Sequence, residues 1–174
     1  MKLRLLTKED AAIYLEIRLE GLKSNPEVFS TAMDDILDQE DPVKFKEEIL
    51  DNDNDYTFGA FSEKGKLIGV VTLKTSEKTK SEHKGIISGL YVSPKARGLG
   101  AGKKLIEEAI YLAKSLGLEQ ITLNVVEGNL PAKKLYEKFG FKTFAVTPKS
   151  LKFQDEYWSQ EHLMLFLKSR EVYV

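Results

Sequence analysis

Three alternate glycines stand directly before an amphipathic helix in the middle of the chain. Gly98, Gly100 and Gly102 follow an apolar, β-branched run that ends at Val92 and a turn that contains a proline. Because glycine has no Cβ, a ligand can come close to the backbone N–H groups at these positions. The first four N–H groups of a helix have no partner inside the helix, and the helix dipole adds partial positive charge there. This segment is therefore predicted to bind phosphate.

The spacing of the glycines excludes two common phosphate-binding motifs. The ATP-type loop requires Gly, four residues and then Gly-Lys-Ser/Thr, which no frame supplies. The dinucleotide pattern Gly-x-Gly-x-x-Gly fails because Lys103 stands where the third glycine is required. What remains is Arg97-x-x-Gly100-x-Gly102, which resembles the acyl-CoA pyrophosphate loop of the GNAT superfamily of N-acetyltransferases. Taken alone, glycines before a helix more often form an ordinary tight turn.

Residues 124–141 carry the second half of the resemblance, which extends over residues 56–141. In the GNAT family a strand, an Asn and a short helix that ends Leu-Tyr-x-x-x-Gly-Phe follow the pyrophosphate helix at this distance. Asn129, before Pro131, can cap that helix, and in the family it also contacts CoA. The resemblance implies that the Tyr136 phenol protonates the departing CoA thiolate. The residues alone favour a core tyrosine whose hydroxyl has a structural partner.

The resemblance implies a set of residues that bind acetyl-CoA. They belong to the strand before the glycine loop, to the loop and the start of its helix, and to the second segment. In chain order they are Leu90, Tyr91, Val92, Arg97, Gly98, Leu99, Gly100, Ala101, Gly102, Lys103, Asn124, Asn129, Ala132 and Tyr136. No metal site is expected, because cysteine is absent and the two histidines are far apart in the sequence.

Direct acetyl transfer from a thioester to an amine in a ternary complex sets further requirements. An opening between the strands at residues 90–92 and 120–126 would supply edge hydrogen bonds to the pantetheine arm. The oxyanion of the tetrahedral intermediate needs a donor, for which a backbone N–H near Leu90 or Tyr91 is predicted. No covalent intermediate is expected, since the chain lacks cysteine and shows no Ser-His-Asp set.

The base that takes the proton of the acceptor amine is left open by the sequence. Many relatives place a Glu on the fourth strand, whereas residues 86–91 hold only Ser88 as a polar side chain. Glu20, Glu127 and His83 are candidates, and a water chain or solvent is equally compatible. A non-catalytic acyl-CoA-binding sensor that has kept the phosphate cradle is therefore the alternative function.

Acidic residues are concentrated between Asp34 and Asp55, where ten carboxylates are opposed only by Lys44 and Lys46. If the second helix lies over the acceptor entrance, as in similar enzymes, its field would favour cationic amines. The other interpretation is a solvated helix face and loop. The acceptor itself, a small molecule or a peptide N-terminus, cannot be named from the sequence.

Composition indicates one globular domain over residues 1–174, with 42% hydrophobic and 30% charged residues. A formal net charge of −1 argues against a dedicated nucleic-acid binder. The N-terminus lacks a secretory apolar region, and no apolar run has the length of a membrane span. A cytoplasmic protein with no membrane partner is expected, and a homodimer is possible because dimers are common in the family.

The elements that must position these residues follow from periodicity, caps and turn residues. Predicted strands cover residues 2–6, 56–61, 67–75, 84–92, 120–126, 141–146 and 162–168. Predicted helices cover residues 8–24, 42–50 and 131–139, with a central helix that runs from the glycine loop to a cap at Gly117. This order predicts an α/β fold: a mixed, mostly antiparallel, twisted sheet with helices on both faces.

Overall fold

The computed structural model describes residues 1–29 and 32–167 of the chain. Seven strands form one sheet in the order β1-β2-β3-β4-β5-β7-β6. The β4–β5 pair is parallel, whereas the other five pairs of neighbours are antiparallel. The strands are β1 (Lys2–Leu5), β2 (Asp55–Phe61), β3 (Leu67–Lys74), β4 (Lys84–Val92), β5 (Gln120–Val126), β6 (Lys142–Phe153) and β7 (Glu156–Phe166).

Helices cover both faces of this sheet, which confirms the predicted fold class. They are α1 (Ala11–Ser24), α2 (Met33–Leu37), α3 (Pro42–Leu50), α4 (Ala101–Ser115) and α5 (Leu130–Lys138). On one face α4 and α5 close the larger core cluster, to which Leu105 and Tyr136 belong. On the other face α1 contributes Tyr14 and Ile17 to a second cluster, against which Leu50 of α3 packs. Within the described part of the chain, no helix is both long and apolar enough to cross a membrane.

Helix α4 forms as its sequence pattern predicts. Leu105, Ile106, Ala109 and Ala113 are fully buried and recur at spacings of three and four residues, so they form one apolar stripe. The helix begins after Gly100, whose φ of +80° is a left-handed conformation that glycine adopts without a steric penalty. The stripe presses α4 onto the sheet and thereby fixes where its N-terminus lies.

Two regions differ from the sequence prediction. Helix α2 was not predicted, because its five residues are too few to show a helical period. The last hairpin is longer than predicted: β6 and β7 extend to a turn at Gln154 and Asp155, where φ is +48° and +65°. In this extension of β6, residues 147–153, four of the seven side chains are polar and five are exposed, so cross-strand pairing rather than an apolar pattern defines it. The predicted end of the last strand, residue 168, lies outside the described residues.

Strands β4 and β5 pair over only three residues. The pairing ends at Ile86 opposite Thr122, although both strands continue beyond it. A bulge in β4 follows at once: its register with β3 skips one residue, and Gly89 there has a φ of +64°. The two parallel strands therefore leave their facing edges unpaired beyond residue 122, on the side of the sheet where α4 begins.

Candidate active site

A cleft with a volume of about 860 Å³ lies where the ends of β4 and β5 meet the N-terminus of α4. Eleven of the fourteen predicted acetyl-CoA-binding residues line it: Leu90, Tyr91, Val92, Arg97, Gly98, Gly100, Ala101, Gly102, Lys103, Asn129 and Ala132. The other three, Leu99, Asn124 and Tyr136, are not among its lining residues. The fold thus brings together segments that are far apart in the sequence, while their contact with a ligand stays a prediction.

The glycine loop leaves free space where a phosphate cradle requires it. Gly98 and Gly100 have φ values of +78° and +80°, and a Cβ built on either would meet no atom within 4 Å. Their role is therefore conformational, and the room beside them is open to a ligand. Gly102 differs, because a Cβ there would lie 3.4 Å from the side chain of Leu135 and 3.7 Å from that of Val92. A Cβ there would make ordinary van der Waals contacts, so the packing of α4 against α5 does not require glycine at this position.

Two basic side chains at the loop, those of Arg97 and Lys103, already have partners. The Arg97 guanidinium donates from Nε to the carbonyl oxygen of Val92 at 3.2 Å and from Nη2 to Asn25 Oδ1 at 3.3 Å. Lys103 Nζ lies 3.5 Å from a carboxylate oxygen of Glu107, one turn along α4. Both cations are exposed, so these contacts are weak and can exchange for a phosphate.

Residues of α1 hold the β4 bulge from the opposite face. Arg18 Nη1 donates to the carbonyl oxygen of Gly89 at 3.3 Å, and its guanidinium lies 4.6 Å from the centre of the Phe29 ring. The Tyr91 hydroxyl donates to the Glu20 carboxylate at 3.0 Å. Burial raises the pKa of Tyr91, and the hydrogen bond to Glu20 adds to that effect. These two hydrogen bonds hold the bulge and the cleft-lining end of β4 against α1.

Tyr136 is buried in the core rather than exposed in the cleft. Its ring meets that of Phe141 edge-on at a centroid distance of 5.9 Å, and the residue is 6% exposed. Burial raises the pKa of its phenol above the ordinary value of 10.0. Among the hydrogen bonds of the described residues, none involves the Tyr136 hydroxyl, so the expected structural partner of a core tyrosine is not found there. Its catalytic role stays a prediction.

An ion pair that sequence reasoning missed fixes α5 to the last hairpin. Lys133 Nζ lies 2.6 Å from Glu161 Oε2, and the Thr143 hydroxyl donates to the same oxygen at 3.0 Å. The hydrogen bond from Lys133 holds the pKa of Glu161 below its ordinary value. The same bond raises the pKa of Lys133. Helix α5, which carries Asn129 at its N-cap, is therefore held in place against β6 and β7.

The candidate bases are distributed over three places. Glu127 lines the cleft, whereas Glu20 is not among its lining residues. His83 precedes β4 at the end of the strand remote from the cleft, where its carbonyl oxygen accepts the N–H of Glu119 at 2.8 Å. Of the three titratable candidates, Glu127 is the one that the fold places in the cleft.

The cleft also contains residues that the sequence analysis did not assign to it. Among them are five residues from the turn after α1 and from β7: Asn25, Glu27, Val28, Phe29 and Trp158. Pro26 after a long helix was an available signal for the turn, since it ends α1 at Asn25. Trp158 had no local signal, because its place depends on the length of the β6–β7 hairpin.

The acidic segment does not reach this cleft. None of residues 34–55 is among the residues that line it. Asp35 accepts from the N–H of Ala32 at 2.8 Å and Asp41 from that of Lys44 at 3.0 Å, so both serve as helix caps. The cationic-acceptor interpretation stays a prediction that no contact at the cleft supports.

The fold and the cleft together define the class of acetyltransferases: a sheet that opens between two parallel strands beside a glycine-rich helix start. The family model described as Acetyltransferase (GNAT) family matches residues 20–141. This match covers more than half of the chain, and the protein belongs to that family.

Solved structures of the same fold align over almost the whole chain. A probable acetyltransferase from Staphylococcus epidermidis ATCC 12228 is 24% identical, with a TM-score of 0.79 over 96% of this chain and 99% of that one. YncA from Salmonella typhimurium, whose structure contains its cofactor acetyl-CoA, is 18% identical, with a TM-score of 0.79 over 99% and 96%. At these identities the likeness establishes the fold.

Curated relatives match over shorter segments. The uncharacterized N-acetyltransferase C1271.07c of Schizosaccharomyces pombe is 44% identical over 54 residues, which are 31% of this chain and 33% of that protein. The chain spans about a third to about half of the length of the first curated relatives that it matches. The activity and the acceptor of the whole protein therefore belong to the proposal that follows.

Proposed function

We propose that this protein is an acetyl-CoA-dependent N-acetyltransferase that moves the acetyl group to a primary amine by direct attack in a ternary complex. The observation that carries the proposal is the meeting of the unpaired β4 and β5 ends with the glycine loop in one cleft. Membership of the GNAT family supports the reaction, and the acetyl-CoA in the YncA structure supports the donor.

The glycine loop is the proposed site for the pyrophosphate of CoA. The open space beside Gly98 and Gly100 lets phosphate oxygens approach the backbone N–H groups at the start of α4. The dipole of this 15-residue helix and the charges of Arg97 and Lys103 favour an anion there. A volume of about 860 Å³ is within the usual range for cofactor sites.

The free edge of β4 is the proposed site for the pantetheine arm. Tyr91 and Val92 pair with β3 on one side, while β5 leaves their other side unpaired. An amide-rich chain can hydrogen-bond to such an edge as an added strand does. The bulge at Gly89 turns the next N–H groups out of the regular ladder, and the N–H of Leu90 or Tyr91 is the proposed donor to the oxyanion.

Proton transfers are assigned to two residues. Tyr136 is the proposed donor to the leaving thiolate, because a phenol whose pKa is raised by burial keeps its proton at neutral pH. Ala132, one helical turn away on α5, lines the cleft. Glu127 is the proposed base for the acceptor amine, with a water chain through the cleft as the alternative.

Release of CoA thiol tests the proposal. A panel of amines, peptide N-termini included, is incubated with acetyl-CoA and the protein, and free thiol is followed with time. Turnover with at least one amine is expected. Acetyl-CoA binding by calorimetry without thiol release from any amine would favour the non-catalytic sensor, which the burial of Tyr136 outside the cleft keeps in consideration. A cytoplasmic location and a homodimer stay predictions.

A further inference from the structure

Three polar side chains on three neighbouring strands are joined by two short hydrogen bonds. His162 of β7 lies between Asn124 of β5 and Thr147 of β6: its Nδ1 is 2.7 Å from Asn124 Oδ1, and its Nε2 is 2.7 Å from Thr147 Oγ1. An amide oxygen can only accept, so Nδ1 donates, and in the neutral ring Nε2 accepts from the hydroxyl. Both ends of the imidazole are thereby fixed, and the Asn124 amide is held in one orientation.

Asn124 lies at the inner end of the opening between β4 and β5. The last residue of β5 that pairs with β4 is Thr122, two positions earlier. Val126, two positions later, lines the cleft. Because a strand rises about 3.3 Å per residue, Asn124 lies roughly 7 Å inward from Val126.

Asn124 points to the face of the sheet opposite α4 and α5. Leu123 and Val125, its two neighbours in β5, are buried in the cluster that α4 and α5 cover. Successive side chains of a strand alternate between faces, so Asn124 is turned to the other face, where it is exposed. That is the face on which Arg18 of α1 reaches the carbonyl oxygen of Gly89 in β4. With the donor site proposed at the start of α4, this face is the one left for the second substrate.

The hydrogen bond to His162 determines what Asn124 can offer a ligand. Oδ1 uses one of its two lone pairs for His162, so the amide offers a ligand its two N–H donors and at most one further acceptor position. A donor cannot assist the attacking nitrogen of the acceptor, since that nitrogen needs its lone pair for the thioester carbon. The donors therefore suit an oxygen of the acceptor, and the guanidinium of Arg18, which lies on the same face of the sheet beside the β4 bulge, favours the same kind of group.

We propose that Asn124, positioned by His162 and Thr147, binds a carboxylate or carbonyl oxygen that lies next to the amine of the acceptor. The acceptor class is thus an amino acid, an amino-acid amide or a peptide N-terminus, and not a simple alkylamine. This inference rests on the proposed acetyltransferase function. In this inference Asn124 binds the acceptor and not acetyl-CoA, to which the family resemblance assigns it, and His162 and Thr147 are positioning residues.

Three probe amines separate the contributions of the oxygen. L-alanine carries a carboxylate, L-alaninamide a neutral carbonyl, and sec-butylamine neither. For the parent protein, kcat/KM per neutral amine is expected to be at least about tenfold higher for the better of the first two than for sec-butylamine. If kcat/KM is higher for alanine than for alaninamide, the negative charge is recognised, which assigns that contact to Arg18. If kcat/KM is equal for the two, a carbonyl oxygen is sufficient, which assigns the contact to Asn124. Equal or better use of sec-butylamine overturns the proposal.

Variants then test the two kinds of residue. Asn124→Asp keeps the oxygen that faces His162 and loses both donors, so KM for the preferred probe is expected to rise about tenfold with kcat and CoA affinity nearly unchanged. His162→Phe is expected to have a similar effect because it frees Asn124, while His162→Gln, which retains a donor, recovers most of the affinity. In an Asn124→Ala background, His162→Phe is expected to have no further effect.

A matched control comes from the same hairpin. The Ser150 hydroxyl donates to Gln160 Oε1 at 2.6 Å, also between β6 and β7, and it is not connected to Asn124. Ser150→Ala is therefore expected to leave KM for every probe unchanged. Thermal unfolding of each variant checks the fold, and if His162→Phe does not fold, His162→Gln and Asn124→Asp carry the test.

The outcomes separate this inference from the function on which it rests. An unchanged probe ranking in Asn124→Asp, or a loss of CoA affinity there, overturns the placement of Asn124 at the acceptor. Additive effects of Asn124→Ala and His162→Phe overturn the positioning role of His162. A parent protein that binds CoA but releases no thiol with any amine overturns the acetyltransferase function, and this inference with it.

Discussion

Nη2 of Arg97 lies 3.3 Å from Oδ1 of Asn25, so the cation of the phosphate loop is joined to the turn that ends α1. Both residues line the cleft. The glycine loop and the turn after α1 are therefore linked through the Arg97 side chain.

Removing this cation is expected to weaken CoA binding. Arg97→Ala should cost about 1.5–3 kcal/mol of binding free energy, the usual size of one charge-assisted hydrogen bond. Asn25→Ala keeps the guanidinium and removes a weak exposed contact, so CoA affinity should stay within about twofold of the parent. Calorimetric titration with CoA measures both. Equal losses in the two variants would contradict a direct role of Arg97 at the phosphates.

Replacement of Gly100 is expected to block the cradle. In Gly100→Val the side chain would occupy the open space at the start of α4, and the φ of +80° would be strained. We expect sharply weaker CoA binding. Gly65→Val is the matched control, because Gly65 has a φ of +75° with no atom within 4 Å of a Cβ, yet lies in the β2–β3 loop. If both variants lose similar stability and only Gly100→Val loses CoA binding, the loop binds phosphate. If Gly100→Val binds CoA with the affinity of the parent protein, the loop does not bind phosphate.

Tyr136→Phe is expected to separate catalysis from structure. If the phenol protonates the leaving thiolate, turnover should fall roughly 10²–10⁴-fold. CoA affinity and the unfolding midpoint should change little, because no hydrogen bond of the described residues involves this hydroxyl. Tyr111→Phe serves as the control, since Tyr111 lies on α4 and is 72% exposed. Unchanged turnover in Tyr136→Phe would return the residue to a purely structural role.

The ion pair between Lys133 and Glu161 predicts a pH dependence of stability. The pKa of Glu161 is lowered in the folded protein, so its contribution is complete above the ordinary value of 4.5 and is lost as the pH falls through the lowered value. Glu161→Gln should therefore lower the unfolding midpoint at pH 7 and flatten its decline below about pH 4.5. Glu107→Gln removes the exposed pair with Lys103 and should leave the midpoint unchanged. A parallel decline in the parent and in Glu161→Gln would contradict the assignment.

The sequence by itself determined the local features of this protein. The stripe of α4, the glycine loop and strands β2 to β5 were predicted within a residue or two, because periodicity, caps and positive-φ turns depend on neighbours in the chain. The family resemblance was carried by the same local motifs, and the family match over residues 20–141 confirmed it.

Only the tertiary structure decided which side chains share the cleft. Trp158 enters it because β6 and β7 pair well beyond their apolar core, and Tyr136 leaves it because its ring packs on Phe141. His162 reaches Asn124, 38 residues away, through a strand order that places β7 beside β5. Contacts of this kind depend on how the strands are ordered in the sheet, and a local pattern of residue types carries no information about that order.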